Sequence, residues 1–367
     1  MTLAIGDPVA AVDTPSLVID LDAMQRNLAA MAGFAREHGM RLRPHAKMHK
    51  SAAIARLQIE AGAVGVCVQK TSEAQALADA GIADIFITNE VIAPHKLAQV
   101  AALAGRIRLA IAVDSSLGVE RLAQALRAAG TMLDIFVEVD VGQGRCGVAP
   151  GAAGTLAHQV VAHGLRLAGL QAYHGRAQHL RSAAERAAAI AHAVGTARAA
   201  QAAITSAGIA CPLVTGAGTG TFAFEAASRL YGELQAGSYL FMDADYAANE
   251  PTPGAPRFEH ALFVKSQVMS RGASHAVVDA GHKSHAIDSG LPRVWQRDLE
   301  FVNGGDEHGL LRPRGDALPE LGETVWLVPG HCDPTVNLHD HYVVVRGGLE
   351  NGVVAALWRV DARGCLT

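Results

Sequence analysis

The sequence predicts an α/β protein, a parallel (β/α)8 barrel followed by a C-terminal antiparallel β domain. Between residues 22 and 245, eight short and nearly continuous apolar runs alternate with alanine- and leucine-rich helical segments. Strands apolar on both faces belong in a parallel sheet covered by helices. Eight strands close a barrel, and the span matches the roughly 200–250 residues that such a barrel needs. After PTPGAP (251–256) the alanine-rich helices stop and β-branched runs take over, the pattern of a separate antiparallel domain. An open, doubly wound sheet would give the same periodicity in the first part.

The elements follow in order. Ser16 to Leu21 (SLVIDL) reads as an extended segment that precedes the barrel and needs a partner, so residues 1–21 are assigned with 246–367 to the β domain and 22–245 to the barrel. An amphipathic helix comes next: Asp22 and Gln25 have capping-box spacing, and Met24, Leu28, Met31 and Ala35 share a face. The barrel strands are RLRPHA (41–46), VGVCVQ (64–69), DIFITN (84–89), RLAIAVD (108–114), DIFVEVD (134–140), LAGLQAYHG (167–175), CPLVTGAG (211–218) and ELQAGSYLF (233–241). The β domain is read from ALFVKSQVMS (261–270), HAVVDAG (275–281), ETVWLVPG (323–330), HYVVVRGG (341–348) and VVAALWRV (353–360).

Composition narrows the class. Half of the 367 residues are apolar, 18% are charged and the formal charge is −4, which is ordinary for a globular protein and gives no electrostatic footprint for nucleic acid. Five scattered cysteines without a C-x-x-C pair argue against a disulfide framework or a zinc knuckle. No basic leader and no stretch of eighteen apolar residues is present, so a cytoplasmic, membrane-free enzyme is expected. Six lysines stand against twenty-five arginines, which makes each lysine worth separate attention.

In a β/α barrel the active site forms at the C-terminal ends of the strands and in the loops that follow. The first strand ends at Pro44-His45-Ala46-Lys47, the fifth runs into Gly142-Gln143-Gly144-Arg145, and the sixth ends at Tyr173-His174-Gly175. The seventh ends at Thr215 to Gly220 and the eighth at Gly237-Ser238-Tyr239. Lys47 stands where a Schiff-base lysine would, or is an ordinary loop lysine like Lys50 and Lys70. The glycines after strand seven lead into a helix near Thr221, so they cradle an anion or merely make a tight turn. Arg145 pairs with an anionic ligand or braces its loop against a neighbour such as Asp140. His174 is a general base or a satisfied core histidine. His331 and Asp333 are two residues apart, which in an extended segment places both side chains on one side. They form a hydrogen-bonded surface pair or a site for Mn²⁺ or Mg²⁺.

Taken in order, RPHAKMHKS, VEVDVGQGRCGV, GLQAYHG, TGAGTGT, ELQAGSY-x-FMDADY, DEHG and VPGHCDPT-x-N-x-HD resemble the D-threonine aldolase and 3-hydroxyaspartate aldolase family over about residues 14–363. The resemblance implies an alanine-racemase-like fold with pyridoxal phosphate on Lys47. It implies a cofactor site that also takes in Arg145, Tyr173, Thr215, Gly218, Thr219, Gly237, Ser238 and Tyr239, a divalent metal on His331 and Asp333, and His174 beside the substrate's β-hydroxyl. It further implies a homodimer and a small D-β-hydroxy-α-amino acid substrate, cleaved to glycine and an aldehyde. Alanine racemases place an arginine where this chain has Gln235, which changes the partner offered to the cofactor ring nitrogen. Two neighbouring activities stay open, 3-hydroxy-D-aspartate cleavage to glycine and glyoxylate and a D-serine dehydratase-like elimination. Dehydratases of this kind tend to carry cysteine where Asp333 stands. A pyridoxal-phosphate-binding protein without catalysis would resemble the barrel alone, and a metal hydrolase would lack the cofactor.

Overall fold

A computed structural model describes residues 3–367, so Met1 and Thr2 of the segment assigned to the β domain lie outside the described residues. Strand β1 (Ser16–Asp20) leads into α1 (Leu21–Glu37). The barrel strands are β2 (Arg41–Leu42), β3 (Val66–Val68), β4 (Asp84–Ile87), β5 (Arg108–Val113), β6 (Asp134–Glu138), β7 (Arg166–Gln171), β8 (Val214–Gly216) and β9 (Glu233–Leu234). Helices α2 (Ala52–Glu60), α3 (Thr71–Asp79), α4 (Pro94–Ala104), α5 (Ser116–Ala129), α6 (Ala153–Ala162), α7 (Ala183–Ser206) and α8 (Phe222–Ala227) alternate with these strands. All eight strands pair in parallel, in the order β2-β9-β8-β7-β6-β5-β4-β3. Amide hydrogen bonds from Val64 to Leu42, from Cys67 to Pro44 and from Ala46 to Cys67, 2.7–2.9 Å long, close the circle.

Strand alternation sorts the side chains. Val66, Val68, Ile85, Ile87, Ile111, Val113, Ile135 and Val137 turn outward into the core beneath the helices. Cys67, Phe86, Ala110, Ala112 and Phe136 fill the barrel interior, where the two rings meet at 4.5 Å between centroids. At the N-terminal end Arg43 pairs with Asp84 at 2.5 Å and with Glu233 at 3.2 Å. That end is thus plugged by charge pairs, and the C-terminal end is left for chemistry.

The second sheet contains β10 (Leu262–Arg271), β11 (Ala276–Val278), β12 (Arg293–Val294), β13 (Leu299–Asn303), β14 (Gly309–Pro313), β15 (Thr324–Val328), β16 (His341–Arg346) and β17 (Val353–Arg359). Its path is β13-β14-β11-β10-β1-β16-β17, with β15 against β10 and β12. The expected partner of the N-terminal strand is therefore found twice over, since β1 runs antiparallel to β10 and parallel to β16. That parallel pair departs from an all-antiparallel domain. The β13–β14 hairpin is hard to see in the sequence because LEFVN and GLLRP are short and interrupt their apolar residues with charge, glycine and proline.

Helix α1 also corrects an expectation. Its cap is Asp20, whose carboxylate accepts the amides of Asp22 and Ala23; the Asp22–Gln25 spacing is not used. The face holding Met24, Leu28, Met31 and Ala35 is buried as its spacing predicted. It joins Leu262, Val264, Leu327 and Tyr342 in a core that continues from the barrel into the second sheet.

Candidate active site

The loops at the C-terminal rim enclose a cavity of about 240 Å³ lined by Lys47, Arg145, Tyr173, Gly218, Thr219, Gly237 and Ser238, with His45, Gln69, Thr88, Gln171, Gln235 and Tyr246. A groove of about 770 Å³ lies on the β domain beside Trp295 and Trp326 but holds none of these groups. Convergence of reactive side chains, rather than volume, identifies the site.

Lys47 follows the end of β2, where the Ala46 amide bonds the Cys67 carbonyl. Its ammonium contacts Asp333 Oδ2, from the β domain. Burial opposes the Lys47 charge, but the Asp333 carboxylate, then Tyr173 and the direct hydrogen bond, outweigh it and raise its pKa. Burial likewise pushes the Asp333 carboxyl up, and Lys47 and His331 more than reverse this. The pair is therefore held ionised by mutual attraction across the two sheets.

The other oxygen, Asp333 Oδ1, is buried without a hydrogen-bond partner. It faces His331 Nε2 at 3.8 Å, while His331 Nδ1 is 2.6 Å from Asp288 Oδ2. An imidazole oriented by a carboxylate, with its free nitrogen beside an orphan carboxylate oxygen, is a donor set that could take a divalent ion, with a supporting partner in place. These residues fit the metal. The physical reason differs from the sequence argument: His331 is extended but Asp333 lies in the first turn of the short helix Cys332–Val336. The loop is docked on the barrel by Asp243, whose carboxylate accepts the amides of Cys332 (3.0 Å) and Tyr246 (2.9 Å). Asp288 carried no signal in the sequence, and Asp243, though inside the FMDADY motif, gave no sign of its partner, since neither lies near its partner along the chain.

The glycine-rich loops form one wall. A Cβ at Gly218 would come within 2.5 Å of Gln178 Oε1, and one at Gly237 within 2.8 Å of the His45 carbonyl. Side chains there would fill the wall or the space before it, so both positions keep bare backbone against the cavity. Ala217 takes a left-handed φ of 73°, unusual for a residue with a side chain. Thr219 Oγ1 accepts the Tyr239 amide at 2.9 Å. This cradle, with the Lys47 amine opposite, fits a phosphorylated cofactor aldehyde.

Three expected residues are not on the cavity surface. The Tyr239 ring is buried in the core 5.5 Å from that of Phe258, and what it offers the cradle is backbone. Thr215 lies beneath the floor, donating to Glu233 Oε1 at 3.1 Å and accepting from Gln235 Nε2 at 2.9 Å. His174 follows Tyr173 and leaves the strand end in another direction, against Gly142. Its Nδ1 is buried without a partner, and burial, with His192 and Arg176, lowers its pKa against the pull of Asp140. Asp140 accepts the amides of Gly142 and Gly144 and does not pair with Arg145. Arg145 instead approaches Glu138 at 3.9 Å and lies 5.8 Å from the centre of the Tyr173 ring. Gln69, at the end of the second predicted strand, obeys the same rim rule and could have been named from it. It bonds His45 Nε2 and Thr88 Oγ1, both at 2.9 Å, and burial keeps His45 neutral.

Behind the cradle Glu225, 1% exposed, accepts from Thr221 Oγ1 at 2.7 Å, and its second oxygen has no partner. Burial outweighs that bond and pushes the carboxyl up to about 7 from 4.5. A raised carboxyl adds stability that is fully present below pH 4.5 and is lost as pH rises through 7. Glu225→Gln is therefore expected to raise Tm at pH 8, by up to about 3 kcal/mol of stability at 1.36 kcal/mol per unit, and to change little at pH 5. Thermal melts at both pH values check this, and an equal shift at both would contradict it.

Comparison with known proteins follows this geometry. Residues 19–245 match the family described as "Alanine racemase, N-terminal domain", and residues 261–345 match a serine dehydratase domain. A D-threonine aldolase of Arthrobacter sp. is 47% identical over 364 residues, covering 98% of this chain and 95% of that protein. A 3-hydroxy-D-aspartate aldolase of Paracoccus denitrificans (strain Pd 1222) is 43% identical, covering 98% and 94%. The crystal structure of D-threonine aldolase from Filomicrobium marinum superposes with a TM-score of 0.97 at 48% identity over 100% of both chains.

Proposed function

We propose, since the chain belongs to the family of D-threonine aldolase and 3-hydroxy-D-aspartate aldolase on the alanine-racemase fold, that it cleaves D-threonine or a related D-β-hydroxy-α-amino acid to glycine and an aldehyde. The observation that carries this reading is the meeting of Lys47 with Asp333, beside an open ligand pair formed by Asp333 Oδ1 and His331 Nε2. A nucleophilic amine and an ion site at one point suit a reaction that breaks the bond between an amine-bearing carbon and a hydroxyl-bearing one.

Pyridoxal phosphate, when bound through Lys47, supplies an electron sink for the pair left at Cα. A divalent ion, Mn²⁺ or Mg²⁺, on His331 and Asp333 supplies a Lewis acid that lowers the pKa of the β-hydroxyl. Gly218, Thr219, Gly237 and Ser238 would hold the phosphate, and Arg145 and Tyr173, which line the same cavity, would stand beside the cofactor. Gln235 Nε2 is engaged with Gln171 Oε1 at 2.8 Å and Thr215 Oγ1 at 2.9 Å, so the barrel floor offers an amide where a cationic partner would otherwise stand.

Proton acceptance from the hydroxyl, which the resemblance gives to His174, is reassigned in this reading to the Asp333 carboxylate held ionised beside Lys47. Those groups adjoin the ligand pair, whereas His174 packs behind the Gly142 loop. In the reaction the hydroxyl proton leaves, C=O forms at Cβ, the Cα–Cβ bond breaks, and Cα takes up a proton to give glycine. The carboxylate at position 333 favours this course over elimination. Among the described residues no helix is long and apolar enough to cross a membrane, and we place the enzyme in the cytoplasm as a homodimer.

Incubation of the purified holoenzyme with D-threonine, D-phenylserine and D-3-hydroxyaspartate tests the reading by product. Glycine with the matching aldehyde is expected, and glyoxylate from the third substrate would rank it with the hydroxyaspartate aldolases. Ammonia with a keto acid would assign a dehydratase instead.

A further inference from the structure

Beyond Arg145, the rim gathers four groups that the reaction does not use. Glu90 follows β4, Asp114 follows β5 and Glu138 ends β6. The loop after β6 turns back through the bridge between Val139 and Val148 and brings Cys146 to them. One ligand atom each from Glu90, Asp114 and Cys146 lie within 4.8 Å of one another. Both Glu90 oxygens are shielded from solvent and have no hydrogen-bond partner.

Glu138 supplies a separate observation. It is 3% exposed, its Oε2 is buried without a partner, and its carboxyl meets that of Glu90. The neighbouring cation, Arg145, stops 3.9 Å short of Glu138 Oε1, too far for a hydrogen bond. One guanidinium at that distance does not balance three carboxylates and a thiol, and buried charge without a partner is strongly disfavoured. A cation among Glu90, Asp114 and Cys146 would give the Glu90 carboxylate the partner it lacks and lower the charge that Glu138 meets.

We propose that Glu90, Asp114 and Cys146 form a second divalent-cation site on the ends of β4 and β5 and the loop after β6, with the buried Glu138 carboxyl beside Glu90, separate from His331 and Asp333. A thiolate among oxygens selects a borderline-soft ion such as Zn²⁺ over Mg²⁺. The ion would pin the 140–147 loop and so fix Arg145 at the cavity edge. The competing arrangement is a proton shared between Glu90 and Glu138: in the metal-free protein, burial and then Glu90 push Glu138 up to about 9.

The test strips purified holoenzyme with chelator and titrates it with Zn²⁺ for stoichiometry, and with Co²⁺ for a thiolate-to-metal charge-transfer band. Two equivalents of Zn²⁺ per chain are expected in the parent protein, falling to one in Glu90→Gln and in Cys146→Ser. The Co²⁺ band should persist in His331→Ala and vanish in Cys146→Ser, a near-isosteric change readable even if Glu90→Gln folds poorly. A parent protein without the band, or a band untouched by Cys146→Ser, overturns the site and leaves the shared proton. If His331→Ala leaves the stoichiometry unchanged while Cys146→Ser lowers it, this site stands and the His331–Asp333 reading fails.

Discussion

Lys47→Ala is expected to remove the cofactor's visible absorbance and the cleavage activity together. The cavity offers the cofactor aldehyde one amine, Lys47, at its mouth, and covalent attachment requires that amine. Activity should fall by about a thousandfold or more, about 4 kcal/mol at 1.36 kcal/mol per decade. The proper control is Lys70→Ala, because Lys70 is exposed. Lys50, which the sequence ranks as an equivalent loop lysine, is buried and pairs with Glu73 at 2.7 Å. Breaking a buried pair costs about 3–5 kcal/mol, so Lys50→Ala should lower Tm while the folded fraction keeps the absorbance. Retention of a full-strength band in Lys47→Ala would reject the assignment.

Much of the barrel was legible because its strands are apolar on both faces and return at regular intervals, a pattern that survives without any knowledge of contacts. The rim rule then located Lys47, Arg145, Tyr173 and the glycine loops, since strand ends can be read along the chain. It could not say which way a side chain leaves the strand end, and so it failed to separate Tyr173, which lines the cavity, from His174, which does not. Nor could it see that Tyr239 turns into the core and contributes backbone alone. Partners remote in sequence were beyond it altogether: Asp288 orients His331 from 43 residues away and Asp243 holds Cys332 from 89. Helix ends were legible in composition but not in position, as the move of the α1 cap from Asp22 to Asp20 shows. Local chemistry reads from the sequence; convergence requires the fold.

Asp333→Ala is the second large effect, and its interest lies in the two oxygens doing different things. Oδ2 meets the Lys47 ammonium, and Oδ1 faces His331 Nε2 with no partner of its own. The glycine-loop cradle proposed for the phosphate and Lys47 both belong to the barrel, so cofactor absorbance should survive the substitution. Cleavage should fall by about a thousandfold, because a developing alkoxide without a Lewis acid loses several kcal/mol of stabilisation, and about 4 kcal/mol is three decades. Chelator should reproduce the loss in the parent protein, and Mn²⁺ or Mg²⁺ should restore the parent but not the variant. His331→Ala separates the two oxygens, since it removes one ion ligand and leaves the Asp333–Lys47 contact in place. If both variants lose ion affinity and rate alike, the ion carries the effect. If Asp333→Ala loses rate while His331→Ala and chelator leave it unchanged, Asp333 acts on Lys47 alone and the metal reading is wrong. Retro-aldol rates and ion affinities measured side by side for the three proteins decide between these outcomes.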